Sequence, residues 1–156
     1  MSCLTEKEIR ALHDALDDEY KAWTTYDQAL ADFGEVRPFS NIRDAERRHI
    51  EALRTLFVRY GLPVPENPWP GKIARFTSLQ EACEAGVSDE IANAELYERL
   101  LEATERPDIL AVLRNLQAAS QERHLPAFQR CVEGRGGGGG GKGRGRGQQR
   151  GDRRQA

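Results

Sequence analysis

Glu46 and His49 lie three residues apart in the segment NIRDAERRHIEALRTLFVRYG, and residues three apart on a helix share a face. The same face carries Ile42, Ala45, Leu53, Leu56 or Phe57, and Tyr60. A carboxylate and an imidazole therefore sit on an inward apolar stripe, where they are costly unless something pairs with them. A metal ion is one such partner, and Glu-x-x-His is a recurring ligand unit of di-metal helix bundles. The plainer alternative is a carboxylate at the core edge bonded to an arginine or tyrosine, beside a hydrogen-bonded core histidine. Three more polar residues, Glu19, Glu95 and His124, fall on or beside the apolar stripes of other segments. Carboxylates combined with imidazoles suit iron or manganese, with zinc as an alternative occupant.

Helices must bring these residues together. Thr5-x-x-Glu8 is a capping box that opens the first. Ile9, Leu12, Leu16, Glu19, Trp23, Tyr26, Leu30 and Phe33 then recur in steps of three and four, an unbroken stripe with Glu19 its one charged member. Gly34 and Pro38 close it. Ser40 or Asn41 caps a second helix over about 41–60, which Gly61 ends. Pro63, Pro65, Pro68 and Pro70 make the next stretch extended, long enough to run the length of a bundle, with Trp69 and Phe76 pinning it down. Ser78-x-x-Glu81 opens a short helix that stops near Gly86. Ser88 or Asp89 starts a third long helix through about Thr104. One face of it holds Val87, Ile91, Ala94, Glu95, Glu98 and Leu101; a neighbouring face holds Leu96, Leu100 and Ala103. Pro107 suits the first turn of a fourth helix, whose stripe is Ile109, Leu113, Leu116, Ser120, His124 and Ala127 or Phe128. Pro126 inside it predicts a kink. The sum is an all-α four-helix bundle with a long crossover between helices 2 and 3.

The chain has 156 residues, 38% hydrophobic and 31% charged, enough for one domain with a core. No apolar run reaches the length of a membrane span, and the start MSCLTEKEIRALHD shows no secretory signal. Cys3, Cys83 and Cys131 are odd in number and contain no C-x-x-C pair. They indicate neither a disulfide framework nor a cysteine-rich metal site, and the expected setting is the cytoplasm. From Gly134 onward, six arginines and one lysine against Asp152 give +6, which leaves −8 on residues 1–133 of a chain whose total is −2. The reading is a helical body over 1–133 and a disordered Gly/Arg-rich tail over 134–156. Such a tail attracts phosphates and so binds nucleic acid weakly, without the aromatic residues that would stack on bases; the bland alternative is a solubilising extension.

The stretches DDEYKA, FSNIRDAERRHIEAL, RYGL, EATERPDILAVLRNL and SQERHLPAF, in the order Glu, Glu-x-x-His, crossover, Glu, final His, resemble the ferritin-like superfamily, including the rubrerythrin-type di-iron proteins. More narrowly they resemble a prokaryotic ferritin-like family whose domain has no assigned function. The resemblance covers about Leu4 to Phe128. It implies two bound irons, reduced to one if Gln121, which departs from the family pattern, leaves the second position too weak, and an oxidoreductase, peroxidase or ferroxidase chemistry on iron, oxygen or peroxide. It implies Glu19 with His49 on one metal, Glu95 with His124 on the other, and Glu46 as a bridge, with Tyr20, Tyr26 or Tyr97 as nearby donors. The pattern's last helix has a Glu three positions before its His; here that position is Gln121, and Glu98 is a candidate for the missing charge. Expected partners are a second copy of the chain and a redox protein that supplies electrons. The alternative is a metal-free or one-metal helical scaffold whose basic tail binds nucleic acid. His13 lies off the first stripe and is expected to be exposed.

Overall fold

A computed structural model describes residues 3–134. They form an all-helical bundle, and no strand occurs among them. The tail, with its expected disorder and nucleic-acid binding, lies outside the described residues.

α1 spans Glu6–Phe33. Its N-terminus is the expected capping box, with the Glu8 amide donating to Thr5 Oγ1 and the Thr5 amide to Glu8 Oε1. Gly34 ends it at φ 90°, a backbone geometry that favours glycine. α2 spans Phe39–Arg59 and starts two residues earlier than the sequence suggests; neither Ser40 nor Asn41 caps it, and Pro38 occupies the cap position.

The proline-rich connection lies along α1. Tyr20 donates its hydroxyl to the Pro65 carbonyl at 2.8 Å, Asn67 Nδ2 donates to Thr24 Oγ1 at 2.8 Å, and Gln28 Nε2 donates to the Ile73 carbonyl at 3.2 Å. Trp69 and Phe76 pack against the core as expected.

α3 spans Leu79–Leu100 without interruption, so the expected break at Gly86 does not occur. Gly86 is there for space. A Cβ at that position would meet the Phe128 ring at 2.6 Å. A short 3₁₀ turn, Leu101–Ala103, follows. α4 spans Pro107–Ala119 with Pro107 in its first turn. It passes into a π-helical turn, Ser120–His124, and then α5, Leu125–Val132. These three pieces form one continuous rod. The disturbance expected from Pro126 appears as that π turn just before it, in which the Leu125 amide reaches back five residues to the Ser120 carbonyl.

Cys83 on α3 and Cys131 on α5 form a disulfide, with Cα atoms 5.9 Å apart. This corrects the reading of unpaired cysteines. The pairing depends on α3 packing against α5, which spacing along the chain does not reveal. The cysteine argument for a cytoplasmic setting loses its basis, since such bonds persist chiefly in oxidising compartments. No helix among the described residues is long and apolar enough to cross a membrane.

The core divides in two. One cluster contains Leu12, Leu16, Leu53, Phe57, Tyr97 and Leu113; the other contains Tyr26, Leu30, Phe39, Ile42, Cys83 and Phe128. On α2, α3 and the last rod, buried polar residues fall between the two clusters in sequence (Glu46, Glu90, and Ser120 with His124), and on α1 Glu19 lies at the edge of the first cluster, next to Tyr20.

Candidate metal centre

Four helical rods contribute to this polar level. Glu19 from α1, Glu46 from α2 and Glu90 from α3 are each 2% exposed, and His124 from the π turn is 4% exposed. His49, one turn beyond Glu46, is slightly more open, at 14% of its side chain.

Glu46 is the centre of the arrangement. Its Oε2 lies 3.1 Å from His49 Nδ1, and its Oε1 lies 3.1 Å from His124 Nδ1. His49 Nδ1 is also 3.5 Å from Glu19 Oε2, and His124 Nδ1 is 3.4 Å from Glu90 Oε1. The two imidazoles stack with centroids 5.5 Å apart. Two triads result, Glu19–Glu46–His49 and Glu46–Glu90–His124, each with one ligand atom per residue drawn within 4.8 Å of the others. They share Glu46.

The two flanking carboxylates, Glu19 and Glu90, are held by tyrosines from across the bundle. Tyr97 on α3 donates to Glu19, and Tyr26 on α1 donates to Glu90 at 2.8 Å. Ser120 donates to Glu90 Oε2 at 2.5 Å. Tyr20 turns away from the cluster to the Pro65 carbonyl.

Burial and mutual repulsion set the charges. Burial, then the Glu46 carboxylate, pushes Glu19 up to about 8. Burial also opposes ionisation of Glu46, but hydrogen bonds with Glu19, His124 and His49 outweigh it and hold Glu46 below the ordinary carboxylate value. Burial pulls both imidazoles down, yet their carboxylate partners win: Glu19 and Glu46 raise His49 to about 10, and Glu46 and Glu90 raise His124 to about 9. The cluster thus draws cationic charge inward. Glu19 Oε2 and His124 Nδ1 remain buried without an aligned hydrogen-bond partner. That is an unusual state for groups of this polarity; a cation that displaced their protons would occupy these two positions. The donor set fits a divalent transition metal.

The structure brings together Glu19, Glu46, His49 and His124. It does not bring in Glu95. That residue is exposed, and with Glu98 and Gln121 it lines a depression on the outer side of α3 and the π turn. The α3 carboxylate in the cluster is Glu90. The misplacement follows from breaking the helix at Gly86, which hid the inward series Cys83, Gly86, Glu90, Asn93 or Ala94, Tyr97 and Leu100. Gln121 faces out because the wider π turn rotates it off the face of His124 and puts Ser120 there instead. Glu98 accepts from Gln117 Nε2 at 3.1 Å. A signal for Glu90 was present in the sequence: Asp18-Glu19 followed by Tyr26 repeats as Asp89-Glu90 followed by Tyr97, with the same spacing. His13 is exposed as expected and meets the Phe57 ring edge-on.

Fold and site together define an all-α bundle with a buried carboxylate–histidine cluster. No family model and no curated protein matches the chain. Among solved structures, the chain is similar to hypothetical protein MJ0754 from Methanococcus jannaschii DSM 2661. The TM-score is 0.76 and the sequence identity 21%, over 86% of this chain and 84% of that one. At that identity the likeness is one of fold alone.

Proposed function

We propose that the protein is a ferritin-like metalloprotein that holds two divalent metal ions, iron foremost, and acts as an oxidoreductase or ferroxidase. The observation that carries this reading is the pair of triads sharing Glu46, with Glu19 Oε2 and His124 Nδ1 buried and without an aligned hydrogen-bond partner. Chain direction supports the same reading. α1 and the last rod run from the first apolar cluster to the second, whereas α2 and α3 both run the other way. The connection between α2 and α3 must then traverse the bundle, as in bundles with one long crossover.

Glu19 with His49 would hold one ion, Glu90 with His124 the other, and Glu46 would bridge. A reduced iron pair in such a site supplies two electrons together to oxygen or peroxide. The chain's own residues orient and protect the site. Tyr26 and Tyr97 fix the outer carboxylates, as partners behind a ligand shell do. The two apolar clusters limit water on either side, and His49, the most open of the five, marks the side nearest solvent. Electrons would come from a separate redox protein or from ferrous iron itself.

A one-ion variant has its own support. Ser120, not a carboxylate, donates to Glu90 Oε2 from the last rod, so that rod adds no negative charge to the Glu46–Glu90–His124 triad. Three carboxylates also leave two divalent ions one negative charge short. The alternative of a metal-free scaffold with a nucleic-acid-binding tail rests on the arginines after Gly134. Comparing the full chain with one ending at Glu133 on DNA and RNA tests it; equal retention dismisses the tail as a binding arm. For the metal, elemental analysis after anaerobic loading with ferrous iron, and separately with manganese and zinc, is the test. Failure to retain any of them contradicts the proposal.

A further inference from the structure

Beside the cluster lies a cavity of about 440 Å³, lined by Arg37, Arg48, Arg123 and Arg130, by apolar Pro38, Ile42, Ala45 and Ala127, and by His124. The arginines come from four different places: the loop before α2, α2 itself, the π turn and α5. No acidic residue lines the cavity. None of the four guanidinium groups has an ion-pair or hydrogen-bond partner among the described residues, whereas nearby Arg43 is paired with Asp27, Glu35 and Asp44. Four unpaired arginines converge on one concavity of a body that carries −8 overall. Like charges gathered in a cleft focus a positive potential there, and guanidinium groups match carboxylate and phosphate oxygens in pairs.

We propose that this cavity is a binding site for a small organic anion, a carboxylate or phosphate ester with a compact apolar body, held against the His124 side of the cluster. The head group engages the arginines and the body lies on Pro38, Ile42, Ala45 and Ala127. Water occupies ~30 Å³ per molecule, so the cavity takes on the order of a dozen non-hydrogen atoms, far more than oxygen or peroxide requires. A polyanion such as nucleic acid fits less well, because the arginines surround a pocket instead of tracking along a helix face. His124 lines the cavity while its Nδ1 faces Glu46 and Glu90. The bound molecule would therefore sit next to the centre, and its role as a substrate there rests on the metal-centre reading; the binding itself does not.

The test is calorimetric titration of the metal-stripped full chain with hexanoate, hexyl phosphate, inorganic phosphate and a DNA oligonucleotide. Arg48→Glu and Arg123→Glu change exposed side chains and leave the core untouched. Arg47→Glu, an exposed neighbour outside the cavity, is the control. The expected result is saturable binding of hexanoate or hexyl phosphate, tighter than inorganic phosphate. It weakens about tenfold or more (~1.4 kcal/mol) in each cavity variant, stays unchanged in the control, and declines with salt. The better of the two alkyl anions identifies the head group. The proposal is overturned by binding of neither alkyl anion, by inorganic phosphate binding as tightly as both, by equal weakening in the control, or by binding of DNA alone. If the anion binds but the protein takes up no metal, the pocket stands and the metal centre falls.

Discussion

Tyr26 donates its hydroxyl to Glu90 at 2.8 Å. The bond has a counterpart in reverse, Tyr97 to Glu19, so α1 and α3 each supply the carboxylate that the other's tyrosine holds. Removing one donor leaves a buried carboxylate oxygen unmatched, at a cost of about 1–3 kcal/mol. Tyr97→Phe and Tyr26→Phe should each lower the urea midpoint of the metal-stripped protein. Each should also weaken metal retention by roughly 10- to 100-fold. Unchanged metal affinity in both would show that the tyrosines serve packing alone.

The protonated imidazoles give the metal-stripped protein a characteristic pH profile. His49 and His124 are raised from 6.5 to about 10 and about 9. Their stabilising contribution is complete below pH 6.5 and is lost as pH rises through 9 to 10. Glu19, raised from 4.5 to about 8, keeps its proton longer folded than unfolded, so its contribution also fades as pH climbs from 4.5 to 8. Thermal melts should therefore show stability falling steadily from about pH 6 to pH 10, with a flatter profile in His49→Ala and His124→Ala. A rise in melting temperature over that range would contradict the assigned charge states. Metal and proton compete for the same nitrogens. Metal binding near pH 7 should thus release protons, detectable as a dependence of calorimetric heat on buffer ionisation enthalpy.

Gly86 offers a test of packing near the site. Alanine ordinarily favours a helix interior over glycine by about 1 kcal/mol. Here its Cβ would stand 2.6 Å from the Phe128 ring, and overpacking of this kind costs about 1–3 kcal/mol. Gly86→Ala should be net destabilising in urea melts and should loosen the rod that carries His124, with metal retention falling in parallel. A stabilised variant would show that Phe128 yields freely.

The Cys83–Cys131 bond closes a loop of 48 residues between α3 and α5. A cross-link of that span stabilises by roughly 2–4 kcal/mol. Double replacement by alanine should lower the melting temperature, and a reductant should lower it in the parent chain but not in the variant. Insensitivity of the parent to reductant would argue that the two thiols are not joined.

These residues also show what the sequence made legible. Glu19 and Glu46 could be placed from spacing alone because Leu12, Leu16, Tyr26 and Leu30 on α1, and Ile42, Leu53 and Leu56 on α2, leave one choice of inward face. His124 could be placed for the same reason, from Ile109, Leu113 and Leu116. α3 was ambiguous because its inner face is built from Ala82, Cys83, Gly86 and Ala94, small residues that carry little periodic signal. Gly86 reads locally as a stop, and only the ring of Phe128, 42 residues further on, explains why it lies inside a helix. The π turn had one local sign in Pro126. Its consequence, Ser120 facing Glu90 in place of Gln121, depends on packing between rods. The pairing of Cys83 with Cys131 depends on the same contact.

The central claim is that Glu46 joins two metal positions. The direct measurement is the metal content of the full chain after anaerobic loading with ferrous iron and removal of excess, for the parent and for Glu46→Ala, with circular dichroism to confirm that both are folded. The expected result is about two ions per chain in the parent and near-complete loss in the variant, whereas a single ion in the parent would show that Glu46 serves one position only. A folded parent that retains no iron, manganese or zinc, or a variant that retains as much as the parent, would contradict it.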